Sequence, residues 1–247
     1  MLRRLYRWLL HAVDTHGVTG LFRALQVFPS PAFPHPFDLA HGTDTSGHIG
    51  GEDLATGTPS DIYNTAYYAI SPSTLRAALA LLPEAPPGTT FVDLGCGKGR
   101  ALLVAAEYAF PRIVGVELAP ALCAIARENC VAHPRITVVK ADAATVDLPP
   151  GALVVFLYHP FLRPVVRPVL RRLEQHPDPV YLLYANCNYA NLLKHWNQLW
   201  DYALPLSPED AAADRHGIKN EHFTLYAAPQ NAKQLFRTGT EASIIER

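Results

Sequence analysis

The sequence predicts an α/β fold: three layers, with a mostly parallel sheet of about seven strands carrying helices on both faces. Three observations predict it. From residue 90 onward, short apolar runs alternate with segments of helical spacing, the pattern of consecutive β-α units. The runs are apolar throughout rather than at every second position, as expected where both faces of a parallel sheet are covered. Three glycines, Gly95, Gly97 and Gly99, follow the first of these strands directly and open the next helix. With 247 residues, 49% hydrophobic and 17% charged, the chain has enough apolar material for one core with loops to spare. We divide it into a helical and loop extension at 1–60, a catalytic-type domain at 61–228 and a tail at 229–247.

Residues 1–17, MLRRLYRWLLHAVDTHG, set Leu2, Tyr6, Leu9 and Val13 at helical spacing with Arg3, Arg4 and Arg7 on other faces. A helix docked on the core accounts for this pattern, and a basic amphipathic helix at a membrane surface is the alternative. His11 and Asp14 interrupt the apolar stretch, which argues against a secretory signal. Residues 29–60 turn proline-rich and then rich in Gly, Ser, Thr and Asp, as in a long loop or lid. From 71 onward Ser71 can cap, Pro72 suits a first helical turn, and LRAALALL follows, closed by Pro83, Pro86 and Pro87.

TFVDL at 90–94, IVGVEL at 113–118, ITVVKAD at 136–142 and ALVVFLY at 152–158 read as strands. KGRALLVAAEYAF at 98–110 and PALCAIARENCVAH at 120–133 read as the helices between the first three. A helix with arginines follows at 162–173, then a buried strand, PVYLLYANC, at 179–187. ANLLKHWNQLW at 190–200 has helical spacing, and WDYALPL and HFTLYAA at 200–206 and 222–228 are expected as terminal strands flanking a polar loop at 208–220. The tail after Pro229 is expected to be loose.

The chemistry is concentrated in FVDLGCGKGR at 91–100. Glycines let the backbone turn tightly and approach a ligand, and they leave amides at a helix N-terminus free to bind an anionic group. The crevice beyond the carboxyl end of such a strand is where α/β sheets bind ligands. A dinucleotide fingerprint counted from Gly95 and Gly97 needs glycine at position 100, where this chain has Arg100. An acidic residue followed by G-x-G-x-G instead resembles the first motif of class I, Rossmann-like, S-adenosylmethionine-dependent methyltransferases. Glu117 and Asp142 close the next two strands, where carboxylates can accept from ribose hydroxyls and from an adenine amino group. The resemblance implies S-adenosylmethionine as cofactor, held by Asp93, Gly95, Cys96, Gly97, Glu117, Leu118, Asp142, Ala143 and Tyr158. Taken singly, each acidic residue is equally well explained as a strand-to-helix turn or a helix-dipole partner.

The fourth strand ends in Tyr158, His159, Pro160 and Phe161. This segment resembles the Asn-Pro-Phe type of motif in amino-group methyltransferases, with His159 in the place of Asn. The resemblance implies an acceptor site here, with His159 and Tyr158 as catalytic groups; a histidine can accept a hydrogen bond or remove a proton. A plain polar turn before a helix-starting proline explains the histidine as well. Upstream, Tyr63, Tyr67 and Tyr68, together with Phe161, are candidates to line the acceptor site or cover the cofactor, and a tyrosine-rich helix beneath the sheet is the alternative. The aromatic segment followed by a glycine loop loosely resembles seven-strand protein lysine methyltransferases, so an amine such as a protein lysine is the preferred acceptor.

With 21 basic and 22 acidic residues the chain shows no strong nucleic-acid signal, which makes a nucleobase acceptor less attractive. No Cys or His spacing suits zinc, so no metal is expected. The four cysteines lack C-x-x-C pairing and read as reduced thiols, hence a cytoplasmic protein. An NAD(P)-dependent oxidoreductase and a non-catalytic S-adenosylmethionine-binding scaffold remain as alternatives.

Overall fold

Strand and helix follow one another as the apolar runs dictate. The computed structural model describes residues 34–231, apart from 52, 55, 58–62, 64, 85 and 215–217. The expectations for residues 1–17 and for the tail from 232 lie outside the described residues. In chain order the elements are α1 (Pro36–His41), β1 (His48–Ile49), β2 (Tyr67–Tyr68), α2 (Pro72–Ala80), β3 (Thr90–Leu94) and α3 (Arg100–Ala105). They continue with β4 (Arg112–Glu117), α4 (Pro120–Asn129), β5 (Ile136–Lys140), β6 (Leu153–Tyr158), α5 (Arg163–Glu174) and β7 (Val180–Ala185). The last are β8 (Asn197–Pro205), α6 (Pro208–Ala213) and β9 (Asn220–Ala227).

The main sheet has seven strands in the order β5-β4-β3-β6-β7-β9-β8. The pairs from β5 to β7 are parallel, whereas β9 runs antiparallel to both β7 and β8. The chain leaves β3 toward one edge through β4 and β5, then returns to pair β6 on the other side of β3. This reversal is the topological switch point at which such sheets open a ligand crevice.

Successive side chains of each strand point to opposite faces. Phe91, Ile113, Val154, Phe156 and Leu183 therefore join one core with α2, α3 and α4, while Val92, Leu94, Val114, Val155 and Leu182 join another with α5. Both faces are filled, which is why the strands read as unbroken apolar runs. α5 supplies Val165, Val166, Val169, Leu170 and Leu173 to the second core.

Several sequence expectations need correction. Residues 190–200 are not a helix: a single tight turn at Ala190–Leu192 is followed from Asn197 by the edge strand β8. The apolar spacing there comes from separate anchors, since Leu193 and Trp196 are buried, with Trp196 Nε1 donating to Glu174 Oε1 at 2.9 Å, while Leu199 faces solvent. The helix expected over 98–110 ends at Ala105. The polar loop at 208–220 contains α6, which starts at its own cap Ser207. Ser71 makes no side-chain cap for α2; Asp210 of α6 accepts from Ser73 N at 2.7 Å and Ser73 Oγ at 2.5 Å instead. Tyr67 and Tyr68 form a strand paired with His48 and Ile49, not a helix. At the far end Asn231 is buried and bonds both backbone groups of Val180, each at 2.9 Å.

Candidate active site

The carboxyl ends of β3, β4, β5 and β6 meet the 65–70 segment around a cavity of about 900 Å³ including its open mouth. Asp93, Gly95, Cys96, Gly97, Glu117, Leu118, Asp142, Ala143 and Tyr158 all line it, so every residue expected to hold a cofactor is brought to one place.

The glycine turn is pinned to the neighbouring strand: Gly95 N and Cys96 N donate to Val116 O at 2.8 and 3.0 Å. Gly95 has φ +92, and a Cβ built there would lie 2.5 Å from Cβ of Pro160, so the turn and the segment after β6 touch. Gly97 has φ +54, and its Cβ would fall 2.3 Å from Cε2 of Tyr67. Only glycine permits both the left-handed backbone and the close approach.

Glu117 accepts from Gly97 N at 2.9 Å and Ala119 N at 2.7 Å, tying the glycine turn to the end of its own strand. A carboxylate offers about four lone-pair sites, so two remain for hydroxyl groups of a ligand. Burial raises its pKa against the pull of those N–H donors. Burial, and secondarily the charge of Glu117, pushes the pKa of Asp93 well above the ordinary carboxylate value. Two buried acids side by side are a costly arrangement that marks a functional site. Asp142 Oδ1 accepts from Ala144 N at 2.8 Å, shaping the turn after β5.

Tyr67, Tyr68, Tyr158 and Phe161 make an aromatic part of the cavity lining that reaches the glycine turn, with Tyr67 against Gly97 and Phe161 Cζ 3.4 Å from a Cβ built on Gly95. Tyr63 does not line the cavity; its carbonyl holds Leu162 N at 2.9 Å. Nor does His159, expected as a catalytic group: its ring lies beside buried Tyr189, with centroids 5.5 Å apart, and its carbonyl accepts from Thr65 Oγ1 at 2.9 Å. The backbone of His159 has φ +45, and that left-handed turn swings Pro160 and Phe161 to the cavity.

Two groups of residues bonded to the cavity lining escape sequence reasoning. In the first, Asp38 accepts from Thr43 Oγ1 at 2.8 Å, Thr45 N at 2.9 Å, Thr45 Oγ1 at 2.5 Å and Ser46 Oγ, and pairs with Arg100 at 3.4 Å. Arg100 Nε also donates to Thr45 Oγ1 at 2.7 Å, and Lys98 Nζ reaches Asp44 at 2.8 Å and Ser46 O at 2.8 Å. This fastens the 35–49 segment across the glycine turn. Thr45 O in turn accepts from the Tyr67 hydroxyl at 2.6 Å, which fixes the ring over Gly97. In the second, Tyr158 donates to Glu221 at 2.8 Å and Tyr68 donates to Asp214 at 2.6 Å, placing carboxylates behind the aromatic lining. A charged residue directly after the glycine motif was the only visible signal for the first group; the second had none.

Residues 91–179 match the family model of a methyltransferase domain. No curated protein matches the chain in sequence. Among solved structures, the N-methyltransferase NodS from Bradyrhizobium japonicum WM9 aligns with a TM-score of 0.49 at 12% identity, over 64% of this chain and 95% of that one. An S-adenosylmethionine-dependent methyltransferase from Mesorhizobium loti gives 0.46 at 17%, over 61% and 95%. A geranyl diphosphate C-methyltransferase from Streptomyces coelicolor A3(2) gives 0.44 at 13%, over 63% and 78%.

Proposed function

We propose that this chain is a class I, Rossmann-like, S-adenosylmethionine-dependent methyltransferase whose acceptor is an amine, such as a protein lysine; the methyltransferase-domain match over residues 91–179 supports the first part. One observation carries the choice of acceptor: the aromatic lining of the cavity is backed by carboxylates, with Tyr158 bonded to Glu221 and Tyr68 to Asp214. Aromatic faces with negative charge behind them attract a cation and disfavour an anionic or purely apolar acceptor.

The residues fit the cofactor. Gly95 and Gly97 let Pro160 and Tyr67 close directly on the turn, both glycines line the cavity, and Glu117 keeps lone pairs for hydroxyl donors. In this reading Asp93, Gly95, Cys96 and Gly97 hold the methionine end, Glu117 and Leu118 the ribose, and Asp142 and Ala143 the adenine. S-adenosylmethionine would supply, when bound, a methyl group on a cationic sulfonium, the departing bond electrons returning to sulfur. The acceptor reacts through its nitrogen lone pair, so its ammonium form first gives a proton to solvent. Tyr158 orients the acceptor, Tyr67 covers the glycine turn, and Phe161 closes the wall. His159 acts by shaping the turn that presents Pro160 and Phe161. Catalysis then rests on alignment in a closed site rather than on a covalent intermediate. The dinucleotide alternative gains nothing from Arg100, whose guanidinium is committed to Asp38, Thr45 and Ser46.

Incubating the full chain with methyl-labelled S-adenosylmethionine and poly-L-lysine, n-butylamine, n-butanol or butyrate tests the acceptor class. Label in the amines alone is expected. Label only in the alcohol or the carboxylate overturns the reading.

A further inference from the structure

Glu221 lies on β9, only 1% exposed, two strands from β6 in the sheet order, yet it meets the cavity lining through Tyr158. Its two oxygens have different partners. Oε2 accepts from Ser71 N at 3.3 Å and from Thr74 Oγ1, whose hydroxyl also lies 2.9 Å from Ser71 O. Oε1 accepts from the Tyr158 hydroxyl at 2.8 Å. A backbone N–H cannot be anything but a donor, so the Ser71 side of the carboxylate is fixed as an acceptor. Burial raises the pKa of Glu221 while the donors Thr74, Tyr158 and Ser71 pull it down. In its ionised form, which this set of donors favours, the carboxylate has no proton to offer on its other side either. The phenol proton of Tyr158, a residue that lines the cavity, is therefore held by Glu221 and is not offered to a ligand.

We propose that Glu221 is a positioning residue for the acceptor: by taking the Tyr158 proton it leaves the Tyr158 oxygen only lone pairs toward the cavity, and so selects acceptors that present an N–H or O–H donor there. The inference rests on the reading that the acceptor meets Tyr158. It explains why a carboxylate is buried at a place where the cofactor does not need one. It also gives the aromatic lining a directional component that charge and π contact lack, since a hydrogen bond orients the acceptor atom and an attraction to a ring face does not.

E221Q reverses the arrangement at almost constant size. Ser71 N–H keeps the amide oxygen on its own side, so the amide NH₂ faces Tyr158. The phenol must then accept, and its proton turns into the cavity. Two cations read this out in full-length protein saturated with S-adenosylhomocysteine: n-butylammonium, which has N–H donors, and n-butyltrimethylammonium, which has none. NMR of protein labelled at tyrosine ¹³Cζ follows the phenol itself, with Y158F identifying the resonance. In the native protein n-butylammonium is expected to bind about fivefold more tightly than the quaternary cation, the worth of one hydrogen bond. That preference disappears in E221Q and in Y158F, and the Tyr158 ¹³Cζ resonance moves in E221Q. Comparing the ratio of the two cations removes the general loss of attraction that follows from neutralising Glu221.

An unmoved ¹³Cζ resonance in E221Q, or a preference that survives in E221Q or Y158F, overturns the proposal. Should E221Q fail to fold, the preference in native protein and its loss in Y158F decide. If the resonance and the preference behave as expected but no amine receives label from S-adenosylmethionine, the amine acceptor falls while the role of Glu221 in setting Tyr158 stands.

Discussion

At Gly97 the backbone conformation and the Tyr67 ring exclude a side chain together, with φ +54 and a contact of 2.3 Å for an added Cβ. G97A therefore displaces Tyr67 or the turn, and we expect S-adenosylmethionine affinity to fall at least about tenfold, the cost of roughly 1.4 kcal/mol, in a calorimetric titration. Asp93 is a residue whose ionisation works against the fold. Its pKa is raised by burial and then by Glu117, so the folded protein holds this proton more tightly than the unfolded chain does. Stability from this group is present below the ordinary value of 3.8 and is lost as pH rises from there through its raised folded value. D93N removes that loss; we expect a higher melting temperature than the native protein at neutral pH, with weakened cofactor binding. A lower melting temperature contradicts the assignment. His159, at φ +45, occupies a conformation that Asn adopts readily and β-branched residues do not. H159N should melt with the native protein, whereas H159V should lose about 1–3 kcal/mol in denaturant unfolding. The sequence shows the chemistry of Asp93 and the glycines because their spacing is local. It cannot show which way the His159 ring points, since that depends on one dihedral and on Tyr189, thirty residues away in sequence.

The segment holding α1 and β1 is a short element that its own sequence barely supports. It is kept in place by Asp38, whose carboxylate gathers Thr43, Thr45, Ser46 and Arg100. Burial would raise the pKa of this acid, yet the hydrogen bonds from Ser46, Thr45 and Thr43 outweigh it and leave the pKa lowered. D38A leaves Arg100 buried without its counter-charge, and removing one member of such a pair costs about 3–5 kcal/mol. We expect faster proteolytic cutting within 35–49 and weaker cofactor binding, because Thr45 no longer fixes Tyr67 over Gly97. Equal protease resistance and equal affinity contradict that linkage. The parallel strands β3, β4, β6 and β7 were legible from the chain because both of their faces are buried, whereas β5, at the sheet edge, is mostly half-buried or exposed. The fastening of 35–49 was not, since its partners Lys98 and Arg100 lie more than 50 residues away and the segment reads as a polar loop. β8 was misread for the opposite reason: as an exposed edge strand it lacks a buried face to impose alternation, and its approach is set by Trp196 packing under α5.

At the scale of the molecule, the sheet order places β3 and β6 side by side at the reversal of the chain, and the glycine turn and the 158–161 segment meet across that gap through Gly95 and Pro160. The glycine turn and the 158–161 segment thus reach one cavity from two neighbouring strands about 60 residues apart in sequence. The fold class and the proposed cofactor site were readable from strand-end acids in order. The carboxylates bonded to Tyr158 and Tyr68 were not, because Glu221 and Asp214 reach them from the antiparallel return of the chain after β8. Among the described residues no helix is long and apolar enough to cross a membrane. We predict that the crevice at Asp93 binds S-adenosylmethionine. Calorimetric titration of the full chain with S-adenosylmethionine, with NAD alongside and with D93A as the variant, tests it most directly. Saturable binding of S-adenosylmethionine that NAD does not share and that D93A loses is the predicted result; no binding, or a preference for NAD, contradicts it.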